Sequence, residues 1–175
     1  MTSTNAAVPG EPPEGIGLPA FNALPDGRAR EVLLACCRAA GWAAKVAAGR
    51  PYTSLGSLLP RARAALTDED VIEALDGHPR IGDARASARG SWSRGEQARV
   101  SGSGEVVLAE LAAGNRAYEE RFGHIYLVCA AGRSATELLA ILRDRLGHDP
   151  DTERQVTREE LRKINELRLT KLIGT

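Results

Sequence analysis

From Pro25 to the C-terminus, apolar residues recur at three- and four-residue intervals, and most periodic stretches are bounded by residues that start or stop a helix. Asp26 is placed to cap a helix carrying Val32, Leu33, Cys36 and Ala40 that stops near Gly41. A short apolar helix around Trp42 to Ala48 is expected to end at Gly49, Arg50 and Pro51. Ser54 or Ser57 caps the next, which runs through Leu58, Leu59, Ala62 and Leu66. Thr67 and Asp70 make a capping-box-like pair before Val71, Ile72 and Leu75, with Gly77 as the stop.

Beyond Gly77 the period is lost. His78 to Trp92 is rich in Arg, Gly, Ala and Ser and reads as an irregular loop, of a length that is uncommon inside a compact domain and often functional. Ser93 opens a helix that is interrupted near Ser101 to Gly104, and a longer one follows from Glu105 to Phe122, ended by Gly123. The run Ile125 to Ala130 is short, apolar and partly β-branched, which suits a buried extended segment. Ser134 and Glu137 form an S-x-x-E box before Leu138, Leu139, Ile141, Leu142 and Leu146, and a last helix spans Pro150 to Ile173.

Strand signals are few, no repeat is present, and strands do not alternate with helices as a parallel sheet requires. The expected fold class is therefore all-α, a single compact helical domain of about seven to nine helices. It should occupy residues 18–175, behind a loose leader at 1–17 that is rich in Pro, Gly and Ala.

Composition narrows the function classes. The chain has 175 residues, enough for one domain with a real core. Lys plus Arg and Asp plus Glu number 23 each, so no net field favours nucleic acid or an anionic membrane. The aromatic share of 4% leaves no rows of bases-stacking side chains, which again argues against nucleic acid as a partner. No apolar run approaches the ~20 residues of a membrane span. The leader lacks the basic start and apolar core of a signal peptide. Of the three cysteines Cys36 and Cys37 are adjacent and no C-x-x-C occurs, as expected for a reducing compartment. The final Leu172-Ile173-Gly174-Thr175 is no peroxisomal address, so the expected location is the cytoplasm, with a bacterial origin favoured.

Nucleotide-binding loops, zinc-protease and serine-hydrolase motifs are missing, and His78, His124 and His148 lie far apart in sequence, so no metal site is expected. Two stretches carry candidate chemistry. In Gly77-His78-Pro79-Arg80-Ile81-Gly82, the imidazole follows a helix stop and precedes a proline that restricts its backbone. Such a fixed group suits general acid or base work, while the helix-end position also suits a His whose cation is stabilised by the C-terminal dipole. In Ser93-Arg94-Gly95-Glu96-Gln97, the S-x-x-E spacing is that of a capping box, and the N–H groups of the same helix start can bind a carboxylate. Spacing alone leaves both choices open.

Together these stretches resemble the 2-oxo-4-hydroxy-4-carboxy-5-ureidoimidazoline (OHCU) decarboxylase family. The resemblance is carried by Phe21-Asn22-Ala23-Leu24-Pro25, the Gly77–Gly82 turn, Ser91-Trp92-Ser93-Arg94-Gly95-Glu96-Gln97, Asn115-Arg116-Ala117-Tyr118 with Arg121-Phe122-Gly123, and Arg168-Leu169. In order and separation these fit over roughly Leu18 to Ile173. The resemblance implies an all-helical fold, commonly a homodimer, and decarboxylation of OHCU to (S)-allantoin in urate breakdown with neither metal nor organic cofactor. It maps the catalytic His onto His78 and the catalytic Glu onto Glu96. Pro79, Ser93, Arg94, Gly95 and Gln97 become substrate contacts, as do main-chain groups of His124, Ile125, Tyr126, Leu127 and Val128 and the side chain of Arg168.

One departure is visible. Many members read Phe-Gly-Phe-Pro-Phe where this chain has Phe122-Gly123-His124-Ile125-Tyr126, which backbone contacts tolerate better than the pocket wall does. The His124 ring is expected to be structural, and His148 to be a helix-end or turn residue. Two other classes of function compete: a hydrolase of a related ureide, in which His78 and Glu96 activate water, and a non-catalytic helical binding module in which Glu96 is a plain cap.

Overall fold

A computed structural model describes residues 15–78, 80–81 and 104–174. Among them are α1 (Leu18–Ala23), α2 (Asp26–Cys36), α3 (Ala40–Ala48), α4 (Leu55–Ala65), α5 (Asp68–Asp76), α6 (Gly104–Phe122), α7 (Ala135–Arg145) and α8 (Pro150–Ile173). No strand occurs among the described residues, and the fold is all-helical as expected. The helix expected at Ser93 and most of the preceding loop lie outside the described residues, as does the leader up to residue 14.

The helix ends show which local signals were sufficient. Ser54 and Ser57 act together, the hydroxyl of Ser54 accepting from Ser57 N–H at 3.1 Å while Ser57 Oγ accepts from Ser54 N–H at 3.2 Å. Thr67 and Asp70 close a similar reciprocal pair, at 3.3 and 2.9 Å. Ser134 and Glu137 do the same at α7.

Three local expectations are corrected. The six-residue α1 was not anticipated; Pro19 supplies its first turn and Phe21 is fully buried. Asp26 does not cap α2. Pro25 holds that place, and the Asp26 carboxylate pairs with Arg30 at 3.2 Å and Arg50 at 2.8 Å. The first long helix ends at Cys36 instead of near Gly41, because Cys37 and Ala39 are extended and Ala40 starts α3. Its new N-terminus is met by Glu73, whose two carboxylate oxygens each lie 3.2 Å from Ala40 N.

The chain groups into two compact units, Met1–Ala74 with Arg162–Thr175, and Leu75–Leu161. In the first, Phe21, Leu33, Trp42, Leu58, Leu169 and Leu172 are fully buried. Trp42 Nε1 donates to Ala62 O at 2.8 Å, which satisfies the indole as it joins α3 to α4. Arg50 gathers the α1–α2 corner by donating to Phe21 O at 3.1 Å and Leu24 O at 2.6 Å. Gly15 and Ile16 N–H groups donate to Lys171 O and Leu172 O, both at 2.9 Å, and so satisfy carbonyls in the last turn of α8.

In the second unit, Leu111, Tyr118, Tyr126, Val128, Leu138, Leu139 and Leu142 form the core. Gly114 lets α6 and α7 approach closely, since a Cβ there would lie 2.6 Å from Leu142 Cδ2. Arg145 and Glu153 are buried beside this core, with side chains 3% and 0% exposed. Arg145 Nε donates to Glu153 Oε1 at 2.8 Å and Nη2 donates to Thr157 Oγ1 at 3.2 Å, while Tyr118 O–H also donates to Glu153.

Burial pushes the Glu153 carboxyl upward, but the hydrogen bonds from Arg145 and Tyr118 outweigh it and hold the group below the usual carboxylate range. A depressed carboxyl contributes stability that is present above its unfolded value and is lost as pH falls through its folded value. Glu153→Gln, which leaves the Arg145 charge buried without its partner, is expected to cost ~3–5 kcal/mol in urea unfolding at pH 7. Its deficit should shrink in acid, where the native carboxylate is protonated as well. An equal deficit across the acid limb would show that the charge is not what matters.

Candidate active site

The backbone N–H of His78 donates to Leu75 O at 3.2 Å, so the residue leaves α5 on a last helical contact and is half-buried. The chain after it is fastened to α6. Arg80 donates from Nε and Nη2 to the two oxygens of Glu119 at 2.6 and 2.8 Å, and Asn115 Nδ2 donates to Ile81 O at 2.6 Å. The bidentate Arg80–Glu119 pair draws the Glu119 carboxyl below its usual range, chiefly through the hydrogen bonds. Asn115 and Glu119 sit one turn apart, so two contacts on a single helical face fix the segment.

The same helix launches the second candidate segment. Gly123 adopts φ 76°, where only glycine is comfortable, and its N–H still bonds to Glu119 O at 2.9 Å. His124 then places Nδ1 3.0 Å from Ile125 O, and its ring meets Tyr118 edge-on at 5.5 Å. Tyr126, Leu127 and Val128 are buried, in a run that belongs to no helix or strand. Tyr126 O–H donates to Leu138 O at 3.1 Å, and burial pushes the phenol up to about 12. With the side chains of Tyr126 and Val128 in the core, what this segment can offer a ligand is main chain.

Arg168 belongs to the other unit. It is half-buried, and its Nη1 donates to Cys36 O at 2.8 Å, a carbonyl at the C-terminal end of α2 where a cation is favoured. Asn165, one turn earlier on α8, hydrogen-bonds the Cys37 thiol. Burial pushes Cys36 up to about 12 and Cys37 up to about 11, so neither thiol is a nucleophile near neutrality.

Of the residues singled out from sequence, the structure thus brings His78 and His124–Val128 onto segments anchored to α6 and sets Arg168 on α8. Pro79, Ser93, Arg94, Gly95, Glu96 and Gln97 lie outside the described residues. His148 follows α7 in a turn, with Nδ1 2.9 Å from Glu153 Oε2. Among the described residues no group of three or more His, Cys, Asp or Glu side chains could hold a metal ion, and no helix is long and apolar enough to cross a membrane.

Sequence reasoning missed Arg145, Glu153 and Glu160. A signal was present, since Arg145 continues the stripe of Leu138 and Leu142, and Glu153, Thr157 and Glu160 share the same four-then-three spacing on α8. Opposite charges on the apolar stripes of two successive helices suggest a buried pair.

Comparison with known proteins agrees with this architecture. The family model for OHCU decarboxylase matches residues 22–170. The uric acid degradation bifunctional protein TTL of Arabidopsis thaliana is 32% identical over 148 residues, which cover 79% of this chain and 45% of that protein. This chain therefore spans less than half the length of that relative. The 2-oxo-4-hydroxy-4-carboxy-5-ureidoimidazoline decarboxylase of Amia calva is 33% identical over 145 residues, 75% of this chain and 79% of its own. A crystal structure of OHCU decarboxylase in the presence of (S)-allantoin superposes with a TM-score of 0.67 at 27% identity, covering 83% of this chain and 99% of that one. A crystal structure of (S)-allantoin synthase shares the fold, with a TM-score of 0.66 at 20% identity over 91% of this chain and 55% of that one.

The raised thiols give a testable consequence. Their neutral forms stabilise the first unit below the ordinary thiol range, and this contribution is lost as pH rises toward the folded values. At pH 8, Cys36 and Cys37 should react with a thiol reagent only as fast as the native state opens. Rapid stoichiometric labelling of both in the folded protein would contradict their burial.

Proposed function

The chain belongs to the OHCU decarboxylase family, and from that membership we propose that it converts OHCU to (S)-allantoin in urate breakdown, with neither metal nor organic cofactor. The observation that carries this reading is the family match over residues 22–170, which takes in His78, Glu96, His124–Val128 and Arg168.

The chemistry asks little of a protein beyond placement and proton handling. Loss of CO₂ leaves an electron pair at the ring carbon, and the adjacent C=N system accepts it, so the substrate is its own electron sink. His78 is the general acid/base, acting on the substrate hydroxyl or on the developing carbanion. Its backbone contact to Leu75 and the tethers of Arg80 and Ile81 to α6 support a fixed imidazole. Glu96 orients that imidazole or handles the second proton. Arg168, steadied by the Cys36 carbonyl, pairs with an anionic or carbonyl edge of the ligand. Ser93 and Gln97 hold the ureido or ring amides, Pro79, Arg94 and Gly95 are further substrate contacts, and the main chain of His124–Val128 completes the site.

The homodimer is the assembly this reading carries, and the cytoplasm its compartment. Free, buried thiols at Cys36, Cys37 and Cys129 support a reducing environment.

The test generates OHCU in situ from urate with uricase and hydroxyisourate hydrolase, then adds chelator-treated protein and follows allantoin by circular dichroism. Rapid formation of one enantiomer is expected; slow racemic background alone would refute the assignment, and a ring-opened product would indicate a ureide hydrolase. His78→Ala should lower kcat ~10²-fold or more with the fold intact. Arg168→Ala should mainly raise KM, and unchanged kinetics would remove it from the site. Light scattering at assay concentrations should give twice the chain mass.

A further inference from the structure

Two main-chain groups of the Ile125–Ala130 run are held by charged side chains from the helices packed on it. Arg145 of α7 donates from Nη1 to Leu127 O at 2.7 Å, and Glu160 of α8 accepts from Cys129 N–H at 2.8 Å through Oε2. Both residues are buried, at 2% and 6% exposure, and Cys129 is 9% exposed. Arg145 is itself fixed by Glu153 and lies over the rings of Tyr118 and Tyr126, at 5.7 and 4.9 Å from their centroids. A buried carboxylate that accepts from a main-chain N–H makes a strong, direction-setting contact.

Leu127 C=O and Cys129 N–H, two residues apart in the run, are thus each held by a buried charge. We propose that Glu160 and Arg145 are positioning residues that fix these two groups and thereby hold the neighbouring main chain of the His124–Val128 segment in place for the ligand. This rests on the proposed function in taking the His124–Val128 backbone as a ligand contact. It adds which side chains set the position of that backbone.

Glu160 is the better residue to change, because removing Arg145 leaves Glu153 buried without its partner and threatens the fold. Glu160→Gln keeps an oxygen acceptor for Cys129 N–H, Glu160→Ala removes it, and Arg133→Ala removes only the ion pair that Glu160 makes with Arg133 at 3.8 Å.

Two readouts apply. Thiol labelling resolved by peptide mass should show Cys129 reacting about tenfold or more faster in Glu160→Ala, as expected for loss of a hydrogen bond to a charged group. Cys36 and Cys37, buried in the other unit, should stay at the wild-type rate and so report that the protein has not opened globally. In the allantoin assay, Glu160→Ala should raise KM about tenfold with kcat nearly unchanged, which fits a loss of binding alignment of the size one charged hydrogen bond supplies. Glu160→Gln should restore most of both effects, and Arg133→Ala should match wild type.

Active Glu160→Ala protein with wild-type KM would overturn the positioning role, as would an equal defect in the Gln and Ala variants. A wild-type protein without allantoin synthesis would overturn the proposed function instead. The Cys129 rate, which needs no turnover, would still decide whether Glu160 holds the segment.

Discussion

The ion pair between Arg145 and Glu153 is the constraint on which the Leu75–Leu161 unit depends. Taking two charges out of water is costly, and the cost is offset only where geometry and further hydrogen bonds are good. Here the guanidinium reaches a carboxylate, a threonine hydroxyl and the Leu127 carbonyl, and two aromatic rings flank it. These partners of an α7 side chain come from α6, α8 and the non-helical run between α6 and α7. A shift of any one would strand a buried charge, so their relative positions are set together. Apolar packing alone tolerates sliding; this network does not.

That rigidity bears on the chemistry proposed for the chain. A decarboxylation in which the ring accepts the electron pair needs little covalent help and a great deal of placement. Both candidate segments of the unit are anchored to one helix. Asn115 and Glu119 hold Ile81 and Arg80 just past His78, and Gly123 turns the chain from α6 into His124–Val128. The divergent His124 fits the same scheme, because its ring packs against Tyr118 and Phe122 and Nδ1 lies against the neighbouring carbonyl. A changed side chain there leaves a main-chain contact surface in place.

Much of this was legible in the chain. Helical periodicity with reciprocal caps at Ser54, Thr67 and Ser134 located α4, α5 and α7, because a capping hydrogen bond is local and its two partners lie three residues apart. The same locality made Gly123 and the last helix readable. The ordered motifs around His78, Glu96 and Arg168 pointed to the family, and the family match covers all three.

Other features were decided only by tertiary contacts. The break between α2 and α3 depends on Glu73, 33 residues from the Ala40 N–H it accepts. Asp26 was drawn from its expected cap to Arg50, 24 residues away. The burial of Arg145, Glu153 and Glu160 was hidden for the same reason: sequence shows a charge on a helical stripe, but whether it meets its partner depends on how the helices pack. The chain by itself determined most of the helices, the capped ends of α4, α5 and α7, and the motifs that point to the family, since these follow from interactions within a few residues. Which charges are buried, and which main-chain groups of the Ile125–Ala130 run they hold, only the folded structure decided, because those energies exist once distant segments exclude water from one another.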